Sequence, residues 1–125
     1  MHSLDELITD IRSRLSGIAA AVAKLPTAED VPDETYVKLW NFVQQSLQKA
    51  ITLLDDADFS ESERILLHDV RGAIASLFAC SEIMNEQCAD HLSAEQQDAV
   101  QAMQQLSSDL LEHLSILAGH EAQVD

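Results

Sequence analysis

Residues 67–84, LHDVRGAIASLFACSEIM, hold the pattern that decides the fold. Leu67, Val70, Ile74, Leu77, Ser81 and Met84, continued by Cys88, recur at alternating steps of three and four. Side chains at that spacing form one stripe of an α-helix, and such a stripe lies along another helix. His68, Asp69, Arg71 and Gly72 fall between the seam positions as a polar cluster off the stripe.

The same periodicity recurs on both sides of this stretch. Upstream, Leu4, Ile8, Ile11, Leu15, Ile18, Val22 and Leu25 form a heptad seam behind the S-x-x-E capping box of Ser3 and Glu6, and Pro26 ends it. An acidic, Pro-containing link over 26–33 follows. The second helix is expected from near Asp33, with Tyr36, Trp40, Val43, Leu47, Ala50 and Leu54 as its seam. The acids Asp55, Asp56 and Asp58 stop it, because negative charge is unfavourable at a helix C-terminus. Ser60 and Glu63 cap the third helix, and Ser93 and Gln96 cap a fourth. That fourth seam is Val100, Met103, Leu106, Leu110, Leu114 and Leu117, with Gly119 as its stop. Four helices with short links predict an all-α, antiparallel four-helix bundle in a single domain over residues 1–125. One chain can close it, or homodimerisation of the last two helices can complete or extend it.

Composition agrees and narrows the function. Of 125 residues, 46% are hydrophobic, 4% are aromatic, and Gly and Pro total five, so turn-forming residues are scarce. The formal net charge is −15. That disfavours non-specific nucleic-acid binding and anionic membrane surfaces. No apolar run approaches the roughly 20 residues needed to span a bilayer, and the N-terminus lacks a signal peptide's apolar core. A cytoplasmic protein is expected. Cys80 and Cys88 on one helix would lie about 12 Å apart, too far for a disulfide, and read as reduced, buried, small apolar residues. No His or Cys spacing suits a metal. His2, His91, His113 and His120 fall near termini, in a turn or beside a seam, and Trp40 and Tyr36 read as core residues.

His68 is different because of its neighbours. It falls one residue past Leu67, about 100° around the helix, so it should flank the seam within reach of solvent. Asp69 is placed to orient the imidazole or take its proton. Arg71, the only Lys or Arg in residues 65–125, is placed to compensate an incoming phosphoryl charge. Around it, residues 61–125 hold twelve Asp and Glu against two Arg. Gly72 costs about 1 kcal/mol against alanine inside a helix, and with Ala75 it leaves low ground beside the ring where a partner's backbone can come close. The same residues also suit a plain solvated histidine in an acidic chain.

Segment 60–118 resembles the dimerisation and phosphoacceptor hairpin of sensor histidine kinases. That family's helix carries His, an acid, an apolar residue, Arg, a small or polar residue and usually Pro, with a Glu-apolar-apolar stretch further on. Here His68, Asp69, Val70, Arg71, Gly72, Ala73 and Ile74 are followed by Glu82, Ile83 and Met84. The ending LSSDLLEHLSIL is similar to the close of the family's second helix. Ala73 stands where the family has proline. Gly72 stands where the family has the Thr or Asn that positions water for dephosphorylation. The stretch His68-Asp69-Val70-Arg71-Gly72-Ala73 also resembles the motif of stand-alone histidine phosphotransfer domains, four-helix bundles of about this length.

The resemblance implies a phosphorelay intermediate of two-component signalling. His68 would be the phosphoacceptor, Asp69 its base or orienting group and Arg71 its charge compensation. Gly72, Ala75 and Ser76 would be contacts for response regulator receiver domains or a histidine kinase. No cofactor of its own is expected; Mg2+ would sit on the partner receiver. Only eight residues follow Leu117, so no ATP-binding domain is expected and the phosphoryl group would come from another protein. The alternative is a non-catalytic helical adaptor or inhibitor that binds a histidine kinase or response regulator.

Overall fold

A computed structural model of the chain describes residues 4–27, 29–31, 33–55 and 63–123. Its helices are α1 (Leu4–Val22), α2 (Glu34–Asp55), α3 (Glu63–Gln87) and α4 (Ala94–Gln123), with a 3-10 turn at Ala89–His91 before α4. The described residues contain no strand, so the chain is all-α as its periodicity predicts.

Neighbours in sequence are neighbours in space. α3 packs extensively against both α2 and α4, α1 packs on α4, and α1 touches α2 more lightly. Three contacts fix the directions. Cys88 at the end of α3 has its Sγ 3.9 Å from Asp33 Oδ2, just before α2. Arg12, midway along α1, donates to Asp55 Oδ1 at 2.7 Å at the end of α2. His113, late in α4, has Nε2 2.7 Å from Asp10 Oδ2, early in α1. The first pair sets α2 and α3 antiparallel, the short link over 88–93 does the same for α3 and α4, and the other two pairs close α1 against α2 and α4 as an up-down-up-down bundle.

One core runs through all four helices. Ile11, Leu15, Ile18 and Val22 of α1 meet Tyr36, Val43, Ala50 and Leu54 of α2. Leu67, Val70, Ile74, Leu77 and Met84 of α3 and Val100, Met103, Leu110 and Leu114 of α4 complete it. The Tyr36 hydroxyl donates to the Pro26 carbonyl. Burial, with Cys88 and Asp30 as lesser causes, pushes its phenol far above the ordinary range. Cys80 and Cys88 are free and buried.

The termini follow their capping chemistry where they are described. Asp33 Oδ2 accepts the Tyr36 backbone N–H at 3.1 Å, starting α2 where expected. Ser93 and Gln96 form a reciprocal box: the Gln96 N–H donates to Ser93 Oγ at 3.1 Å and the Ser93 N–H to Gln96 Oε1 at 2.8 Å. Ser3, Ser60, Asp56 and Asp58 lie outside the described residues, as do the side chains of Leu4, Glu63 and Leu117.

Four expectations need correction. α1 ends at Val22 rather than at Pro26, yet Leu25 stays buried in the turn that follows. In α2 the buried position is Leu39, and Trp40 and Leu47 are half-buried against the core, because α2 sits between two neighbours and its stripe is broad. In α4 Ser107 is fully buried while Leu106 is partly exposed. Burying 103, 107, 110 and 114 keeps a strict four-three alternation, which overrides the polarity of one hydroxyl. Finally, Gly119 does not stop α4, which runs on to Gln123. A glycine ends a helix by turning left-handed, and no described glycine has a positive φ.

Candidate functional site

The cluster at 68–72 lies in the second and third turns of α3. Leu67 and Val70 on either side are buried and hold the backbone in register. His68 precedes the fully buried Leu77 by nine residues, about 180° of helix rotation. It therefore points straight away from the core, and its side chain is 85% exposed. This is further out than the flanking position its sequence neighbours suggest. The reason is that α3 also buries Leu66, Ala73 and Cys80, which turns the centre of its stripe away from the ring.

His68 Nδ1 lies 3.4 Å from Asp69 Oδ1. With a proton on Nδ1 shared toward that carboxylate, Nε2 keeps its lone pair and faces solvent. Arg71 is exposed three residues on, and no carboxylate among the described residues pairs with it. Its guanidinium is left for an external anion. Gly72, one turn from His68, is exposed, and a Cβ built there meets nothing within 4 Å. Packing inside the chain thus gives no reason for this glycine. Ala75 and Ser76 are exposed beyond it, and the Ser76 hydroxyl donates to the Gly72 carbonyl at 3.2 Å. Ala73, at the position of the kinase family's proline, is buried, and α3 runs through it unbroken.

One turn before His68, Ile65 is 57% exposed. Sequence reasoning passed over it because Leu66 and Leu67 next to it satisfy the core. Three consecutive apolar residues on a helix place at least one outside, and that was the available signal. Of the other histidines whose side chains are described, His91 is exposed in the 3-10 turn, and His113 joins α4 to α1 through Asp10. Among the described residues no three His, Cys, Asp or Glu converge as a metal site requires. None of the described helices is long and apolar enough to cross a membrane.

No protein-family model, curated protein or solved structure matches this chain. The chemistry of the site therefore rests on its own residues.

Proposed function

We propose that this protein is a phosphorelay intermediate of two-component signalling, carrying a phosphoryl group on His68 between the aspartates of receiver domains. The observation that supports this most is the His68 ring itself. The side chain is 85% exposed on α3, with Nδ1 3.4 Å from the Asp69 carboxylate.

The transfer balances with the groups present. His68 Nε2 attacks the phosphorus of a partner's aspartyl phosphate, an N–P bond forms, and the P–O bond to the aspartyl oxygen breaks. The partner's carboxylate leaves with the electron pair. The phosphorylated imidazole keeps its Nδ1 proton and a positive charge, which the Asp69 carboxylate stabilises across 3.4 Å. Arg71 offsets the phosphoryl charge from the other side. Reversal onto a second receiver uses the same groups. Mg2+ would be held by the receiver's own carboxylates and would stabilise charge on the phosphoryl oxygens. Gly72, Ala75 and Ser76 would leave room for the receiver's backbone.

The test is label transfer from a panel of purified, phosphorylated receiver domains to the intact chain and to His68→Gln. Acid-labile, base-stable label on the wild type alone is the expected result. The absence of label from the folded wild type across the panel would overturn the phosphohistidine reading in favour of a helical adaptor.

A further inference from the structure

Two grooves flank the His68 helix, one shared with α4 and one with α2. We infer that the partner docks over the α2–α3 groove, with Phe42 as its apolar anchor and Lys49 as its charged one. This rests on the phosphorelay reading above.

The placement follows from helix geometry. α1 lies along the side of α2 marked by Ile51 and Asp55, which line the cleft between them. Phe42 is nine residues before Ile51, so it projects about 180° away, on the side turned to α3. Antiparallel neighbours are related by a local two-fold, so equivalent flanks of the two helices meet along one groove. On α2, Phe42 and Lys49 immediately precede the buried Val43 and Ala50. On α3, Gly72, Ser76 and Ile83 immediately precede the buried Ala73, Leu77 and Met84. All five share that groove.

Heights follow from the Asp33–Cys88 contact. Phe42 is nine residues along α2 from Asp33, and Ala79 is nine residues back along α3 from Cys88. Both lie about 14 Å from that contact. Lys49 and Gly72 match in the same way about 24 Å along. Phe42, 58% exposed, therefore stands level with the exposed Ala79 and one turn from both Ser76 and Ile83. Lys49 is exposed, pairs with no described carboxylate, and stands opposite Gly72, one turn from the level of His68.

Charge decides which groove the partner takes. A protein that carries an aspartyl phosphate with a divalent cation surrounds it with carboxylates, so its contact surface is acidic. On the α3–α4 side Arg71, which follows the buried Val70 as Glu82 follows the buried Ser81, is the one Lys or Arg in residues 65–125, and Glu82 and Glu112 there outnumber it. That groove repels such a partner. The α2–α3 groove offers Lys49 against Asp69, which leaves it without net charge, and adds an apolar strip.

The experiment compares the receiver domain that labels the intact chain fastest against Phe42→Ala, Lys49→Glu and Glu112→Lys. All three positions are exposed, and unchanged helical circular dichroism confirms folding. Phe42→Ala and Lys49→Glu should each raise the receiver's KM at least about tenfold with the saturating transfer rate unchanged, and Glu112→Lys should leave KM alone. A labelled wild type with an unaltered KM for the two α2 variants, or a KM that falls only in Glu112→Lys, overturns this inference and leaves the phosphohistidine intact. A wild type that takes no label overturns both.

Discussion

Gly72→Ala is expected to stabilise the protein by about 0.5–1 kcal/mol while slowing phosphoryl transfer. A glycine inside a helix costs about that much against alanine, because the unfolded chain loses more freedom on folding. The gain is realised only if the new methyl group fits. Here a Cβ at Gly72 meets no atom within 4 Å, and the residue lies mid-helix without a positive φ. With a urea m-value of about 1–3 kcal/mol/M for a small protein, the unfolding midpoint should rise by roughly 0.2–1 M. The assay is urea unfolding followed by circular dichroism, with label transfer measured on the same samples. A lower midpoint would refute the claim that nothing packs against this position. A higher midpoint with unchanged transfer would refute the claim that the glycine keeps room for a partner beside His68. Only the combination of a more stable fold and slower transfer supports both.

Gly17→Ala should also stabilise, by about 0.5–1 kcal/mol, since its Cβ would make an ordinary contact with Leu106 Cδ1 at 3.6 Å; a drop in melting temperature would mean α1 and α4 sit closer than that. Ser107→Ala should raise stability by about 1 kcal/mol, because the Ser107 hydroxyl is fully buried without a partner among the described residues; a loss in guanidinium unfolding would reveal a hydrogen bond to it. Stability should fall at alkaline pH. Burial raises the Cys80 and Cys88 thiols above their ordinary 9.0, with Asp33 adding to the effect at Cys88. A raised folded-state value favours the protonated form, so this contribution is complete below pH 9.0 and is lost as pH climbs through the folded values. A urea midpoint unchanged between about pH 8 and pH 11 would contradict the burial of both thiols.

The bundle was legible because its periodicity and caps agree. Tyr36, Val43, Ala50 and Leu54 are all buried where the spacing placed them, and Ser93 and Gln96 cap α4 as their pattern requires. What escaped was phase. In α4 the pull of hydrophobicity chose Leu106 over Ser107, whereas the unbroken four-three alternation through 103, 107, 110 and 114 chooses the serine. In α2, Leu39 and Trp40 both satisfy an apolar stripe, and only the position of α3 relative to α1 decides which goes deeper. The polar cluster at 68–72 and the small residues Ala75 and Ser76 beyond it were legible, and the structure leaves all six named candidates exposed. Phe42 and Lys49 were not, because their place beside α3 depends on the register of two helices joined by a link outside the described residues.

The position of the cluster in the bundle also bears on how such a site works. α1 is held largely by α4 and by polar pairs such as Arg12–Asp55, which are more than half exposed and contribute little. α3, in contrast, is packed along its length by α2 on one side and α4 on the other. A group that must meet a partner's phosphoryl centre within a fraction of an ångström is best carried on the element with the least freedom. Because that element buries Leu67 and Val70 around an imidazole that itself touches none of the core, the rigidity of the site and the identity of its reactive group are set by different side chains. His68, 85% exposed, therefore adds little to the packing of the fold.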